Sequence, residues 1–270
     1  MSDLDRNYGA GASPFGRAAS AAAVDAGLRS YMLRIYNYMT IGLAITGFAA
    51  LGIYMMAVTT DAGSAATSAS GTAFAIKAGQ YLTPFGVAMY VSPLKYLFIF
   101  APLAMVFVIS FGIQRLAPAT AQLLFWAFAA LMGVSLSSIF LVYTHNSIVQ
   151  VFFVTAASFG ALSLYGYTTK RDMTGMRSFL VMGLFGVIIA SVVNIFLVSS
   201  AFQFAISVIG VLVFAGLTAY DTQRLKNEYI YGYAGQGDVA ERSAIMGALT
   251  LYLNFINLFT LLLQLLGQRD

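Results

Sequence analysis

The stretch FAISVIGVLVFAGLTAY, residues 204–220, is almost entirely apolar and ends at Asp221, where the polar run DTQRLKNEY begins. A helix needs about 20 mostly apolar residues to span a bilayer, so residues 202–222 are predicted to form a transmembrane helix. Asp221 is one of only 10 acidic residues in a chain of 270. Charged side chains at such positions are commonly functional, which makes Asp221 a candidate site residue.

The rest of the chain has the same character. Hydrophobic residues make up 60% of it and charged residues 9%, whereas a soluble domain carries about 25% charged residues. The apolar runs are long and unbroken, unlike the short alternating strands of a membrane β-barrel. The sequence predicts an all-α integral membrane protein, a seven-transmembrane helical bundle whose spans are residues 36–58, 96–114, 120–143, 148–168, 179–199, 202–222 and 244–266.

The connections between these spans differ in length. Residues 144–146 and 199–201 are short enough to join antiparallel helix hairpins. Residues 59–95, rich in Ala, Gly, Ser and Thr, are predicted to form an irregular outer loop. Residues 223–243 are the most charged stretch and predict a helical extension followed by a Gly-rich turn. Residues 1–30 are predicted to be a flexible cytoplasmic tail that becomes a surface helix near its end, and residues 31–270 the membrane domain.

The basic residues predict the orientation. Placing the N-terminus in the cytoplasm puts all of the 14 Lys and Arg residues inside except Lys77, Lys95 and Arg269, as the positive-inside rule requires. We therefore expect a multi-pass protein of a bacterial inner membrane. Seven spans place the C-terminus outside, whereas a last segment that only re-enters the membrane would leave it inside.

Several classes of function are disfavoured by composition. The chain has no cysteine and a single histidine, His145, so thiol chemistry and histidine-rich metal sites are excluded. We find no nucleophile elbow, phosphate-binding loop or pair of hydrolase carboxylates. The net charge of +4 is small and does not suggest nucleic acid. We expect no enzyme activity and no cofactor, and we expect His145 to be a solvated turn residue.

Two interpretations of Asp221 remain open from the residues alone. Arg115, at the inner end of the second span, could meet Asp221 inside the bundle and favour its ionised form. Alternatively, both lie in interfacial water, and Arg224 at i+3 neutralises Asp221 locally.

The last span carries a polar face. Thr250, Asn254, Asn257 and Gln264 recur at helical spacing. Such a face forms interhelical hydrogen bonds or lines a path for ions, and the pattern does not decide between them. Asn194, in the fifth span, adds a polar group to the predicted interior.

Several segments carry a family resemblance. The chain resembles the Bax inhibitor/YccA family, also called the transmembrane Bax-inhibitor-motif family, over about residues 28–268. AYDTQ (219–223) and LYLNFINLF (251–259) are the most specific segments; 28–50, 92–107 and 168–196 also match. The resemblance implies a fold in which helix seven is surrounded by the other six, and a pH-sensitive calcium leak. It also implies a proton-sharing aspartate pair on helices six and seven, and an arginine near the inner end of helix two that binds the first aspartate.

Asp221 matches the helix-six aspartate, and Arg115 is the candidate arginine. The family motif reads LYLDFINLF, so Asn254 stands where the second aspartate belongs. An amide cannot ionise, so no coupled carboxylate pair can form, although its NH₂ can donate to Asp221. Asp221 is then expected to stay ionised to lower pH than in a pair, and Ca²⁺ meets one charged ligand instead of two.

Three functions are consistent with these residues. The first is a passive cation leak, most simply for calcium, with Asp221, Asn254 and Arg115 as the gate, Asp221 as a candidate calcium ligand, and Asn257, Asn194 and Thr250 as supporting polar residues. The second is a non-transporting protein that modulates a membrane-anchored quality-control protease through its N-terminal tail. The third, a proton-coupled transporter, would need more carboxylates inside the membrane. The expected partners are the lipid bilayer and such a protease, and the expected state is a monomer or weak homo-oligomer.

Overall fold

A computed structural model describes residues 14–68, 71–113, 115–233 and 237–269, with residues 14–23 and 233 described by their backbone alone. Within these residues seven helices are long and apolar enough to cross a membrane. They are α1 (Pro14–Ala57), α3 (Leu94–Gly112), α4 (Pro118–Leu136), α6 (His145–Thr168), α7 (Arg177–Leu197), α8 (Ser200–Glu228) and α9 (Gly237–Leu266); the short helix α5 (Ile139–Val142) continues α4. The predicted all-α, seven-helix membrane fold is confirmed.

The first helix is longer than its apolar segment. It begins at Pro14, so the predicted boundary between residues 30 and 31 falls inside a continuous helix. Leu28 and Tyr31 are both buried in the main core. The described part of the predicted tail is therefore helical, and its end packs into the bundle instead of lying on a surface. Residues 1–13 of that tail lie outside the described residues.

The prediction of an irregular loop over residues 59–95 is wrong. Strands β1 (Val58–Thr59), β2 (Ala75–Lys77) and β3 (Gln80–Leu82) form an antiparallel sheet in the order β1-β3-β2, and the helix α2 (Pro84–Tyr90) follows. Thr83 accepts a hydrogen bond from the backbone N–H of Gly86 at 3.1 Å and so caps α2. Its own backbone N–H donates to the carbonyl oxygen of Ala57 at 3.0 Å, which fixes this small unit to the end of α1.

The helical extension predicted in the most charged connection is confirmed, whereas residues 237–243 of that connection are helical. Helix α8 extends beyond its apolar segment to Glu228, and a π-helical turn covers Tyr229–Tyr233. Residues 234–236 lie outside the described part. Helix α9 then begins at Gly237, before the predicted start of the last span at residue 244.

Helix α9 lies at the centre of the bundle, as the resemblance implied. Among the most apolar 18 residues of α9, 56% are buried, whereas the buried share of the corresponding 18 residues is 39% or less in each of the other spans. Tyr252 is fully buried on α9 between the rings of Phe125 and Phe128 of α4. Its hydroxyl shares a 2.6 Å hydrogen bond with Thr46 of α1, so a buried polar group is satisfied by a neighbouring helix. The central position of α9 brings its polar residues against α8.

Helices α6 and α8 pack closely at Gly166. A Cβ atom at this position would collide with the carbonyl oxygen of Ala219, which is backbone and has little room to move. Gly160 lies on the same helix, and a Cβ atom there would meet nothing within 4 Å.

We therefore expect Gly166→Ala to lower the free energy of unfolding by about 1–3 kcal/mol, the usual cost of overpacking. The matched variant Gly160→Ala should leave it unchanged or raise it by about 0.5–1 kcal/mol, because alanine favours the helix. Thermal unfolding of both variants in detergent checks this pair. Equal stability of the two variants would contradict the close contact at Gly166.

Candidate functional site

Helices α8 and α9 bring Asp221 and Asn254 together inside the bundle. Asp221 is 5% exposed and Asn254 is 6% exposed. Asn254 Nδ2 donates a hydrogen bond to Asp221 Oδ2 across 2.8 Å. The residue that departs from the family motif therefore touches the candidate aspartate directly, and it does so as a donor.

The cation beside Asp221 comes from the same helix. Arg224 Nη2 lies 3.2 Å from Asp221 Oδ1, an i,i+3 ion pair. The other side of the guanidinium faces Glu228, with Nε 3.5 Å from Oε1. Arg224 is therefore shared between a buried carboxylate and a carboxylate nearer the surface, and both oxygens of Asp221 have a partner.

Arg115 does not take the predicted position. It is exposed, and among the residues that the structure describes no ion pair joins it to Asp221. Helix α3 ends at Gly112, and the backbone N–H of Arg115 bonds back to Gly112 across a turn. This turn takes Arg115 off the helical face, while Ile113 points into the bundle. The C-terminal end of α3 does approach the site, but the side chain that it contributes, Ile113, is apolar.

An inner cavity of about 580 Å³ lies next to the Asp221–Arg224 pair. Its wall combines Ile113, the residue that follows α3, with residues of α8 and α9, among them Arg224, Glu228, Arg242, Ser243 and Thr250. Arg224 lines the cavity and also contacts Asp221. A cation that enters the cavity therefore meets Arg224 before it can reach the buried carboxylate.

On the other side of Asp221 the packing between α8 and α9 is apolar. Leu261 of α9 is buried. A Cβ atom added at Gly210 would lie 2.7 Å from Leu261 Cδ1, which shows how closely the two helices approach. This apolar contact region separates Asp221 from the far ends of α8 and α9.

The other predicted polar residues do not reach Asp221. Thr250 Oγ1 donates to the carbonyl oxygen of Met246 at 3.0 Å, and Asn257 Nδ2 donates to that of Leu253 at 2.8 Å. Both bonds stay within α9. Of the polar face of this helix, Asn254 is the residue that hydrogen-bonds to the aspartate within the described part of the chain.

Asn194 belongs to a second polar cluster, at the Ser200 end of α8. Its Nδ2 donates to Gln203 Oε1 at 2.8 Å, and Gln203 Nε2 donates to Gln264 Oε1 at 2.7 Å. Ser207 also donates to Gln264 at 2.8 Å. The cluster links α7, α8 and α9, and the spacing of Gln203 and Ser207 at i and i+4 is the sequence signal that could have indicated it.

Comparison with known proteins gives consistent matches. The family model described as Inhibitor of apoptosis-promoting Bax1 matches residues 28–270. The chain is 44% identical to an uncharacterised protein of Rickettsia prowazekii, over 91% of this chain and 92% of the relative. It is 43% identical to the inner membrane protein YbhL of Escherichia coli, over 94% of this chain and 98% of the relative. It is 35% identical to an uncharacterised membrane protein of Streptococcus pyogenes, over 91% of this chain and 96% of the relative.

Proposed function

The chain belongs to the Bax inhibitor family, and on that premise we propose that it is a passive cation leak with calcium as its cargo. In this proposal Asp221 is the gate, Arg224 is the latch that covers it, and Asn254 is its neutral hydrogen-bonding partner. The protein sits in a bacterial inner membrane with its N-terminus in the cytoplasm, so the inner cavity opens to the cytoplasm.

The observation that carries the proposal is the buried carboxylate of Asp221, paired with Arg224, which lines the inner cavity. Removing a carboxylate from water costs several kcal/mol even after the protein relaxes. A position that only packed α8 against α9 would be filled more cheaply by an apolar side chain. Ionisable groups inside membrane spans mark ion and proton pathways more often than structural contacts.

The described conformation is the closed one in this proposal. Arg224 occupies Asp221 Oδ1, and the apolar packing around Leu261 closes the far side. Opening requires the guanidinium to leave Asp221. Glu228, already 3.5 Å from Arg224 Nε, offers a second acceptor. The Arg224 guanidinium therefore moves from the carboxylate of Asp221 to that of Glu228, which lowers the free energy needed to release Asp221.

Once Arg224 has left Asp221, the oxygen ligands at the site suit a calcium ion that passes through. Ca²⁺ binds carboxylate and amide oxygens, and Asp221 with the Oδ1 of a rotated Asn254 supplies both kinds. A single charged ligand gives weak binding, and a pathway needs binding weak enough for the ion to leave.

Reconstitution of the full chain into liposomes that contain a calcium dye tests the proposal. We expect calcium influx above that of empty liposomes. We also expect Asp221→Asn to lower calcium flux relative to potassium flux severalfold, because it removes the buried carboxylate of the gate. Wild-type flux at the level of empty liposomes, while a family member with both aspartates leaks in the same assay, would refute the proposal. The non-transporting function would then be the one to pursue.

A further inference from the structure

A lateral groove of about 740 Å³ lies between α1 and α6, with Phe255 of α9 among its lining residues. Its walls are mostly apolar and include Met39 of α1 and Phe159 of α6. Sites for small organic ligands commonly measure about 300–1,000 Å³. The groove has room for a ligand and is separate from the inner cavity beside Arg224.

The groove has the length of one leaflet. Its residues on α1 extend from Arg29 to Leu43, which at 1.5 Å per residue corresponds to about 21 Å. A bilayer with its head-group regions is about 40–45 Å thick, so one leaflet accounts for about 20–22 Å. A lipid chain that lies along α1 would fill the groove and leave its polar end near Arg29.

Arg29 is the charged residue among those that line the groove, and Lys226, which lies outside the lining, contacts a residue at the same end. Tyr167 lines the same end from α6, and Lys226 Nζ donates to its carbonyl oxygen at 2.8 Å while lying 5.2 Å from the centre of its ring. Among the described residues that line the groove, none is acidic. Asp25, one turn before Arg29, is exposed and not part of the lining. Basic pockets between transmembrane helices are typical sites for the head groups of anionic lipids.

The middle of the groove offers no free hydroxyl donor at its one hydrogen-bonded contact. Thr222 Oγ1 donates to the carbonyl oxygen of Thr218, so it accepts its 2.9 Å bond from Ser163. Ser163 must then accept its 2.5 Å bond from Tyr36. These three hydroxyl hydrogens are used within the protein, so this part of the wall favours an apolar occupant. Thr40 and Tyr167 also line the groove and carry hydroxyls.

We propose that the lateral groove binds one anionic phospholipid, with an acyl chain beside Gly160 and its phosphate near Arg29 and Lys226. Gly160 lines the groove, and a Cβ atom there would project into open space. A bulky side chain at this position would therefore extend from an unhindered Cβ into the groove and displace the lipid.

Quenching of tryptophan fluorescence by brominated lipids tests the site. The chain has one tryptophan, Trp126, whose Nε1 makes no hydrogen bond within the described residues, so Trp126→Phe gives a silent background. In that background Leu164→Trp reports on the groove, and Met182→Trp, on the exposed face of α7, reports on bulk lipid. The full chain is reconstituted in vesicles that contain one brominated lipid, either phosphatidylglycerol or phosphatidylcholine. The remaining lipid of each vesicle is either the unbrominated form of the same lipid or the other lipid.

We expect the reporter at position 164 to prefer phosphatidylglycerol over phosphatidylcholine and the reporter at position 182 to show no preference. Arg29→Gln should lower the preference about fivefold, the ratio that one basic side chain contributes near an anionic head group. Gly160→Phe should reduce quenching at position 164 by either lipid, whereas Gly186→Phe, also in open space but on α7, should not.

Equal lipid preference at the two reporters, or quenching unaffected by Gly160→Phe, would overturn the proposal. If neither brominated lipid quenched the tryptophan at position 164, and two chains could be cross-linked, the groove would instead be the binding site for a second copy of this chain. If Leu164→Trp folds poorly, Leu33→Trp on the opposite wall provides the same readout.

Discussion

Asn254→Asp is expected to make calcium flux depend on pH between about pH 6 and 8, because it creates a pair of carboxylates that must share a proton. In the wild type Asn254 Nδ2 donates to Asp221 Oδ2 at 2.8 Å. The substitution replaces this donor with an oxygen, so two carboxylates face each other at hydrogen-bonding distance. One Arg224 guanidinium cannot neutralise both.

The sign of the effect follows from the latch. At high pH both carboxylates are ionised, and their combined charge holds Arg224 firmly. As the pH falls a proton bridges the two oxygens, the charge that faces Arg224 decreases, and the guanidinium transfers more readily to Glu228. Flux through Asn254→Asp should therefore rise as the pH falls, while wild-type flux varies little over the same range. Calcium flux from dye-loaded liposomes at a series of pH values measures both.

The exchange variant Asp221→Asn with Asn254→Asp is the matched control. It again has one carboxylate and one amide, now on opposite helices, so no proton is shared. We expect its pH profile to be as flat as that of the wild type. A flat profile for Asn254→Asp alone, or a steep one for the exchange variant, would show that the pair does not control the pathway.

The fold was predictable where hydrophobicity alone determines it. Seven apolar runs gave seven spanning helices in the right order, because a chain in lipid must satisfy its backbone hydrogen bonds within helices. The ends of the helices were less predictable. Helix α1 begins before its apolar segment, and Leu28 and Tyr31 in that early part pack into the core. The sheet between α1 and α3 was missed because its strands have two or three residues, too short for a period of two to be recognised.

The site was predictable in part. The resemblance indicated both Asp221 and Asn254, and the structure places them in contact. The partner cation could not be decided from the sequence, since Arg224 at i+3 and Arg115 on another helix were both compatible with a buried aspartate. The choice depends on where α3 ends. Helix α3 ends at Gly112, and no pattern in the apolar run that precedes Arg115 specifies that residue.

Arg224→Gln is expected to raise calcium flux about fivefold at neutral pH, because the removed ion pair stabilises the closed state by about 1 kcal/mol. This value is the upper end of the range that ion pairs exposed to solvent contribute to stability. The Asp221 side chain is only 8% exposed, which strengthens the pair, but that of Arg224 is 36% exposed and is partly screened by water. Glutamine keeps a hydrogen-bonding group of similar reach but carries no charge. The loss of attraction to Asp221 therefore accounts for the effect, and high salt should reduce the difference between the variant and the wild type.

Arg115→Gln separates this latch from the one implied by the resemblance. Arg115 is exposed and forms no ion pair with Asp221 within the described residues, so we expect flux close to that of the wild type. If Arg115→Gln raised flux and Arg224→Gln did not, the latch would be the arginine after α3, and the Asp221–Arg224 contact would be only a local pair within α8. If both variants raised flux, the closed state would depend on positive charge around the inner cavity, and a specific contact at Asp221 would not be needed to explain it.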